Sequence, residues 1–173
     1  MARSGAQAAT AETPDPIDWT RERWRASGLG EDENAFLAMG SMMRLHRLMA
    51  ESIESMLKPL QLNLTDFMLM VTLELNETHT LLISRLARSL LVHATTATLA
   101  VDRLEARGLL RRSPHPTDRR AIEVSLTSRG RELVREAKDR LAEVQFGLPG
   151  APLEAQRRLL KVLDQTRQLL GDR

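Results

Sequence analysis

The chain has 173 residues, a formal net charge of only +2 and no cysteine. That length fits one domain with a real core, and the missing cysteine excludes disulfides, thiolate metal ligands and a thiol redox switch. The longest apolar run, residues 67–73, is far too short to span a bilayer, and the first residues lack the basic start and apolar segment of a secretory signal, so a soluble cytoplasmic protein is expected.

Residues 1–16 are rich in Ala, Thr, Ser and Pro with little to bury, and are expected to be disordered. A short helix follows, with Pro16 in its first turn and Ile17, Arg21, Trp24 and Arg25 sharing a side. Trp19 and Trp24 fit staples that hold this arm on the core better than a ligand-stacking role, and Gly28 and Gly30 end the segment. A long helix is expected from Asp32 to the stop at Pro59. Its apolar positions, Phe36, Met39, Met42, Met43, Leu45, Met49, Ile53, Met56 and Leu57, recur at spacings of three and four and predict a core stripe. His46 lies on that stripe, where a lone histidine is ordinarily a satisfied core residue. The methionines are adaptable enough to line a pocket as well.

Asn63 or Thr65 caps the next helix, which runs to about Leu75, and residues 76–80 read as a loop. Residues 82–90 form a short helix with Ile83, Leu86, Ala87 and Leu90 on one face. Leu91-Val92-His93 makes the turn, and residues 94–107 form another helix, with Gly108 placed as its left-handed C-cap. The period then changes from 3.6 to 2, so residues 109–113 and 121–126 read as strands around a proline-rich basic turn. Thr127 or Ser128 caps a long helix carrying Leu133, Ala137, Leu141 and Val144. A break at residues 147–150 and a last helix after Pro152 follow, with Leu159, Leu160, Leu163, Arg167 and Leu170 on one side.

The helix, turn and helix over residues 82–107 form a helix-turn-helix unit. Ala97, Val101 and Leu104 must face inward against Leu86 and Leu90, which leaves Thr95, Thr96, Leu99, Asp102 and Arg103 on the outer arc. Threonines in the first turns suit major-groove insertion, since each offers a hydroxyl to base or phosphate oxygens and a methyl to thymine. Charge is concentrated in the same stretch. Between Arg85 and Arg120 eight arginines face three acids, an excess of five positive charges in a chain whose total is +2, and such a block calls for an anionic partner. Arg85, Arg88 and Arg103 are placed to hold flanking phosphates. A hairpin tip with His115, Arg119 and Arg120 can reach a neighbouring minor groove, and Asp118 can hold one of those arginines extended.

Residues 101–112, VDRLEARGLLRR, followed by Asp118-Arg119-Arg120-Ala121 and Leu126-Thr127-Ser128-Arg129-Gly130, resemble the MarR family of winged-helix transcription factors. Leu64-Thr65 and Leu86-Ala87 fit that family's second and third helices, and the similarity covers about residues 34–170. The resemblance implies a mainly α fold with a small β-hairpin wing, a winged helix-turn-helix with an interleaved helical dimerisation region. Residues 1–16 would be a disordered tail, 17–30 an N-terminal arm, 31–60 and 128–173 dimerisation helices, and 61–127 the DNA-binding lobe. It further implies a homodimer on a pseudo-palindromic double-stranded operator, usually a repressor, released when a small aromatic or phenolic effector binds. By matching position Asp118 and Arg120 are the wing pair and Arg119 the tip, while Thr95, Thr96 and Thr98 fall on the groove-reading helix. Leu99 departs from the polar or basic residue that relatives often carry, which turns base readout toward thymine methyls.

The arm is longer than in minimal members, and some relatives with such an arm answer to urate or other aromatic acids. Trp24, Met43, His46 and Met70 are the candidate ligand contacts. The alternative is a DNA-binding regulator without an effector. A small enzyme is remote, because His46, His79, His93 and His115 show no metal-ligand spacing and no phosphate loop or nucleophile elbow is present. No cofactor, metal or membrane partner is expected. With 3% aromatics and none in the basic block, stacking on single-stranded nucleic acid is disfavoured.

Overall fold

A computed structural model describes residues 15–118 and 121–172. The described residues divide into two compact units, one ending at residue 47 and the other starting at residue 48. In the first, α1 (Pro16–Ser27) opens with the side chain of Asp15 accepting the Ile17 amide at 2.7 Å, and Pro16 sits where its missing N–H costs nothing. Gly28, at φ 66°, ends the helix in the left-handed region. The chain turns back into α2 (Glu33–Leu57), held by three side-chain contacts. The Trp24 indole donates to the Gly30 carbonyl at 3.0 Å and its ring stacks on Phe36 with centroids 4.6 Å apart. Arg25 grips Glu33 through two bonds of 2.8 and 2.9 Å. Trp24 therefore staples the arm as expected, but within its own hairpin. Trp19 does not, being 53% exposed with the Arg23 guanidinium 5.9 Å from its ring.

The core stripe expected along α2 is realised at its ends only. Leu37, Ile53 and Leu57 are buried, whereas Phe36, Met39, Met42 and Met43 are exposed, and so is His46. The reason is geometric: apolar residues at both three- and four-residue spacings on a helix of this length form more than one stripe, and a single chain covers only part of them.

In the second unit the 3₁₀ turn Lys58–Leu60 carries Pro59, and α3 (Leu64–Leu75) starts at a capping box. Asn63 Oδ1 accepts the Asp66 amide at 2.8 Å while Asp66 Oδ2 accepts the Asn63 amide at 3.2 Å. Next come a strand, β1 (Thr80–Leu82), then α4 (Ile83–Ser89), α5 (Ala94–Ala106), β2 (Leu110–Pro114), β3 (Ile122–Leu126), α6 (Ser128–Glu143) and α7 (Leu153–Leu169). The antiparallel sheet has order β1-β3-β2, with Leu110 opposite Leu126, Pro114 opposite Ile122 and Thr80 opposite Ser125. β1 occupies what reads in sequence as a loop and the head of the fourth helix. Three residues carry no period, and their partners lie more than forty residues away on β3.

Leu57, Leu69, Met70, Leu73, Leu86 and Leu104 have no appreciable surface and form the heart of the core, joined by Leu109 from the start of the wing and Leu141 from α6. Packing this tight makes the seat of α4 and α5 stiff. Two further contacts fasten α6 beneath the wing. Thr127 caps it, accepting the Gly130 amide at 3.0 Å while its hydroxyl donates to Gly108 O at 2.8 Å. Gly130 lies so close to β2 that a Cβ there would meet Leu109 O. By contrast α7 buries none of its residues, and Leu153, Leu160, Val162 and Leu169 are exposed.

Candidate nucleic-acid interface

The inner face of α5 is Ala97, Ala100, Val101 and Leu104, all buried, and it meets Leu86 and Ala87 of α4 as the periodicity requires. Between the helices Leu91 takes φ 52° and the Val92 amide returns to Ala87 O at 3.1 Å, which closes the turn. His93 is the N-cap of α5: its Nδ1 accepts the Thr95 amide at 3.3 Å and lies 3.1 Å from Thr95 Oγ1. The outer face then carries Thr95, Thr96, Thr98, Leu99, Asp102 and Arg103, all exposed, with Leu99 at 57%. The Thr98 hydroxyl donates to Ala94 O at 2.9 Å.

The arginines of this region do not act alike. Arg103 points to α3, bonding Asp66 at 2.5 and 3.3 Å, and Asp66 is 1% exposed. A carboxylate so buried requires its ion-pair partner, so Arg103 is committed to locking α5 onto α3. Arg107 donates to the Gln61 and Leu60 carbonyls at 2.6 and 2.9 Å and fastens the end of α5 to the 3₁₀ turn. Arg112 on β2 reaches back to α5, meeting Asp102 at 2.5 Å and Glu105 at 3.1 Å, while its amide donates to Glu105 Oε1. Recognition-type helix and hairpin are thereby joined. Arg85 and Arg88 on α4 and Arg111 on β2 are exposed, and none pairs with another described residue. The sequence groups Arg103 with Arg85 and Arg88 as phosphate-facing; the structure divides the six described arginines of the block into three that pair within the fold, Arg103 among them, and three that pair with no other described residue.

In the hairpin His115 is partly buried and organises the turn. Its Nδ1 accepts the Thr117 and Asp118 amides at 3.4 and 3.3 Å, its own amide donates to Ala121 O, and its Nε2 is 3.7 Å from Glu123. Arg119 and Arg120, read from the sequence as tip residues, lie outside the described residues. The residues that sequence reading missed are Asp66, Glu105 and Arg112, whose pairings join positions up to 37 residues apart. Only Glu105 carried a sequence signal, as an acid inside a basic block; Asp66 lies outside that block.

The structure does not treat the four candidate ligand contacts as equals. Met43 and His46 are exposed on α2, Trp24 is engaged with Gly30 and Phe36, and Met70 has no surface in the core of the second unit. Among the described residues no three His, Asp or Glu side chains converge as metal ligands. Among the described residues no helix is long and apolar enough to cross a membrane.

Residues 62–122, from just before α3 to the first residue of β3, match the model of the MarR family. The chain is 37% identical over 94 residues to the Escherichia coli transcriptional repressor MprA, a match over 54% of this chain and 53% of MprA, so it spans about half the length of that relative. Among solved structures it is similar to Sco5413, a MarR family transcriptional regulator of Streptomyces coelicolor, with a TM-score of 0.74 and 28% identity over 80% of this chain and 96% of the other. The fold is also shared with Bordetella bronchiseptica BpsR, with a TM-score of 0.67 and 21% identity over 75% of this chain and 97% of BpsR; that structure concerns regulation of BpsR's DNA binding by 6-hydroxynicotinic acid.

Proposed function

We propose that the chain, whose residues 62–122 match the MarR family model, is a MarR-family winged-helix regulator: a homodimeric transcriptional repressor that binds a palindromic double-stranded operator and releases it on binding a small aromatic or phenolic ligand. The observation that carries the DNA reading is the outer face of α5, with Thr95, Thr96, Thr98 and Leu99 exposed on a helix that is capped, buried behind and clamped to the wing by Arg112. In the proposed complex α5 enters the major groove, Arg85 and Arg88 hold flanking phosphates, and the wing with Asp118, Arg119 and Arg120 probes the adjacent minor groove, His115 setting its turn. Arg103 acts behind this surface, through Asp66.

Dimerisation is assigned to the segments 31–60 and 128–173. The exposed apolar residues of α2 and α7 support that assignment, since residues such as Leu153 and Leu160, two turns apart on one face of α7, are costly to leave in water. The effector is assigned to the exposed part of α2 at Met43 and His46, next to the arm that carries Trp24 in sequence; Met70 is reachable only if the core opens. The repressor role follows MprA's own, and the small-molecule control has its parallel in BpsR. Replacement of Arg119 by Ala tests the DNA reading: operator affinity at moderate salt should fall about tenfold, as expected for loss of one groove contact, and unchanged affinity would remove the wing from the interface. A thermal-shift screen with aromatic acids and phenols tests the effector, and no shift with any of them favours an effector-independent regulator.

A further inference from the structure

We infer that α5 recognises its operator through thymine methyl groups, with no guanine-directed contact from the helix, and that Leu99 is the residue that sets this specificity. The inference rests on the proposed DNA reading and deepens it.

The side chains of α5 leave little to offer a base edge. Guanine is read by bidentate donation to O6 and N7, chiefly from Arg or Lys, and adenine by Asn or Gln. The helix sequence, ATTATLAVDRLEA, contains no Lys, Asn or Gln and one Arg. That arginine, Arg103, commits the Nε–Nη2 edge of its guanidinium to Asp66, and drawing it out to a base would leave a carboxylate of 1% exposure without its counter-charge. Acids can accept from cytosine N4, but Asp102 and Glu105 are both held by Arg112. Hydroxyl donors are depleted in the same way. The Thr98 hydroxyl is given to Ala94 O, and the Thr95 hydroxyl faces His93 Nδ1 at 3.1 Å.

What remains outward is one threonine hydroxyl on Thr96, the γ-methyls of three threonines, and Leu99 at 57% exposure. Against the floor of the major groove these are apolar contacts, and the apolar feature displayed there is the thymine 5-methyl. Leu99 lies one turn along from Thr95 and Thr96, where it meets the bases next to theirs. An exposed leucine at the centre of a surface meant for a polyanion is otherwise unexplained.

Duplexes enriched by the full-length protein from a random pool supply the probe. In the tightest of them thymine is replaced by deoxyuracil, which removes only the major-groove methyl and leaves the minor-groove edge read by the wing intact. Affinity should fall about fourfold per contacted thymine, the worth of one buried methyl, while 7-deazaguanine in place of guanine should leave it unchanged. The exposed-site variant Leu99→Ala should keep its fold and lose sensitivity to uracil at one position per half-site. Equal binding of thymine and uracil duplexes, or a tenfold loss with 7-deazaguanine, would overturn the inference while leaving the DNA reading intact. If no duplex is enriched at all, the DNA reading itself falls, and this inference with it.

Discussion

Asp66 does two things at once at the residue scale. Its Oδ2 closes the capping box of α3 and its carboxylate anchors Arg103 of α5, so one side chain sets both where α3 starts and how α5 lies on it. Asp66→Ala should therefore destabilise the protein by about 2 kcal/mol, the sum of the lost capping-box bond to the Asn63 amide and a broken, partly solvated ion pair, lowering the thermal midpoint by roughly 4–8 °C. A midpoint within a degree of the parent would mean that Arg103 is not held by Asp66. Glu33 offers a pH-dependent test in the first unit. Its hydrogen bond to the Arg25 guanidinium holds its carboxyl below the usual glutamate range. A depressed folded value means that the contact stabilises the hairpin fully above about pH 4.3, the unfolded glutamate value, and that this is lost as pH falls through the folded value. With Trp19 replaced by Phe, Trp24 emission should shift toward that of an exposed indole on acidification, and Glu33→Gln should abolish the titration. A Trp24 signal flat through the acidic range in the parent would contradict the coupling.

The element scale separates arginines that a charge count cannot. Arg85 on α4 faces solvent, whereas Arg112 joins β2 to α5 through Asp102 and Glu105. Arg85→Ala should reduce the slope of log affinity against log salt by about one, the release of one counterion. Arg112→Ala should weaken binding with the slope nearly unchanged, because what it loses is the rigid joint between helix and hairpin. Equal slopes for Arg85→Ala and the parent would remove Arg85 from the phosphate-facing set. Long periodic elements were legible from the residues: α5 with its Gly108 stop, the α3 cap at Asn63 and the β2–β3 ribbon all carry local signals. β1 was not, since three residues become a strand only by pairing with β3. The outer face of α5 was legible as a set of residues but not as a chemistry. Which hydroxyls and which arginine remain available is decided by Asp66, His93 and Arg112, from outside the helix.

For the whole molecule, the long stripe on α2 shows where one chain's sequence ceases to describe one chain's core. Phe36, Met39, Met42 and Met43 have the period of a buried face and yet stand exposed, as do Leu153, Leu160, Val162 and Leu169 of α7, which buries nothing. In the proposed account a second copy covers these faces and thereby fixes the distance between two α5 helices. Dimerisation and operator spacing are then a single property. Both can be read together by analytical ultracentrifugation of the full-length protein, free and with a fluorescent duplex enriched from a random pool. The account predicts a dimer when free, two chains per duplex when bound, and loss of binding when the spacing between half-sites is changed from about 10 base pairs by half a helical turn. A monomer that binds one half-site with undiminished affinity, indifferent to that spacing, would contradict it.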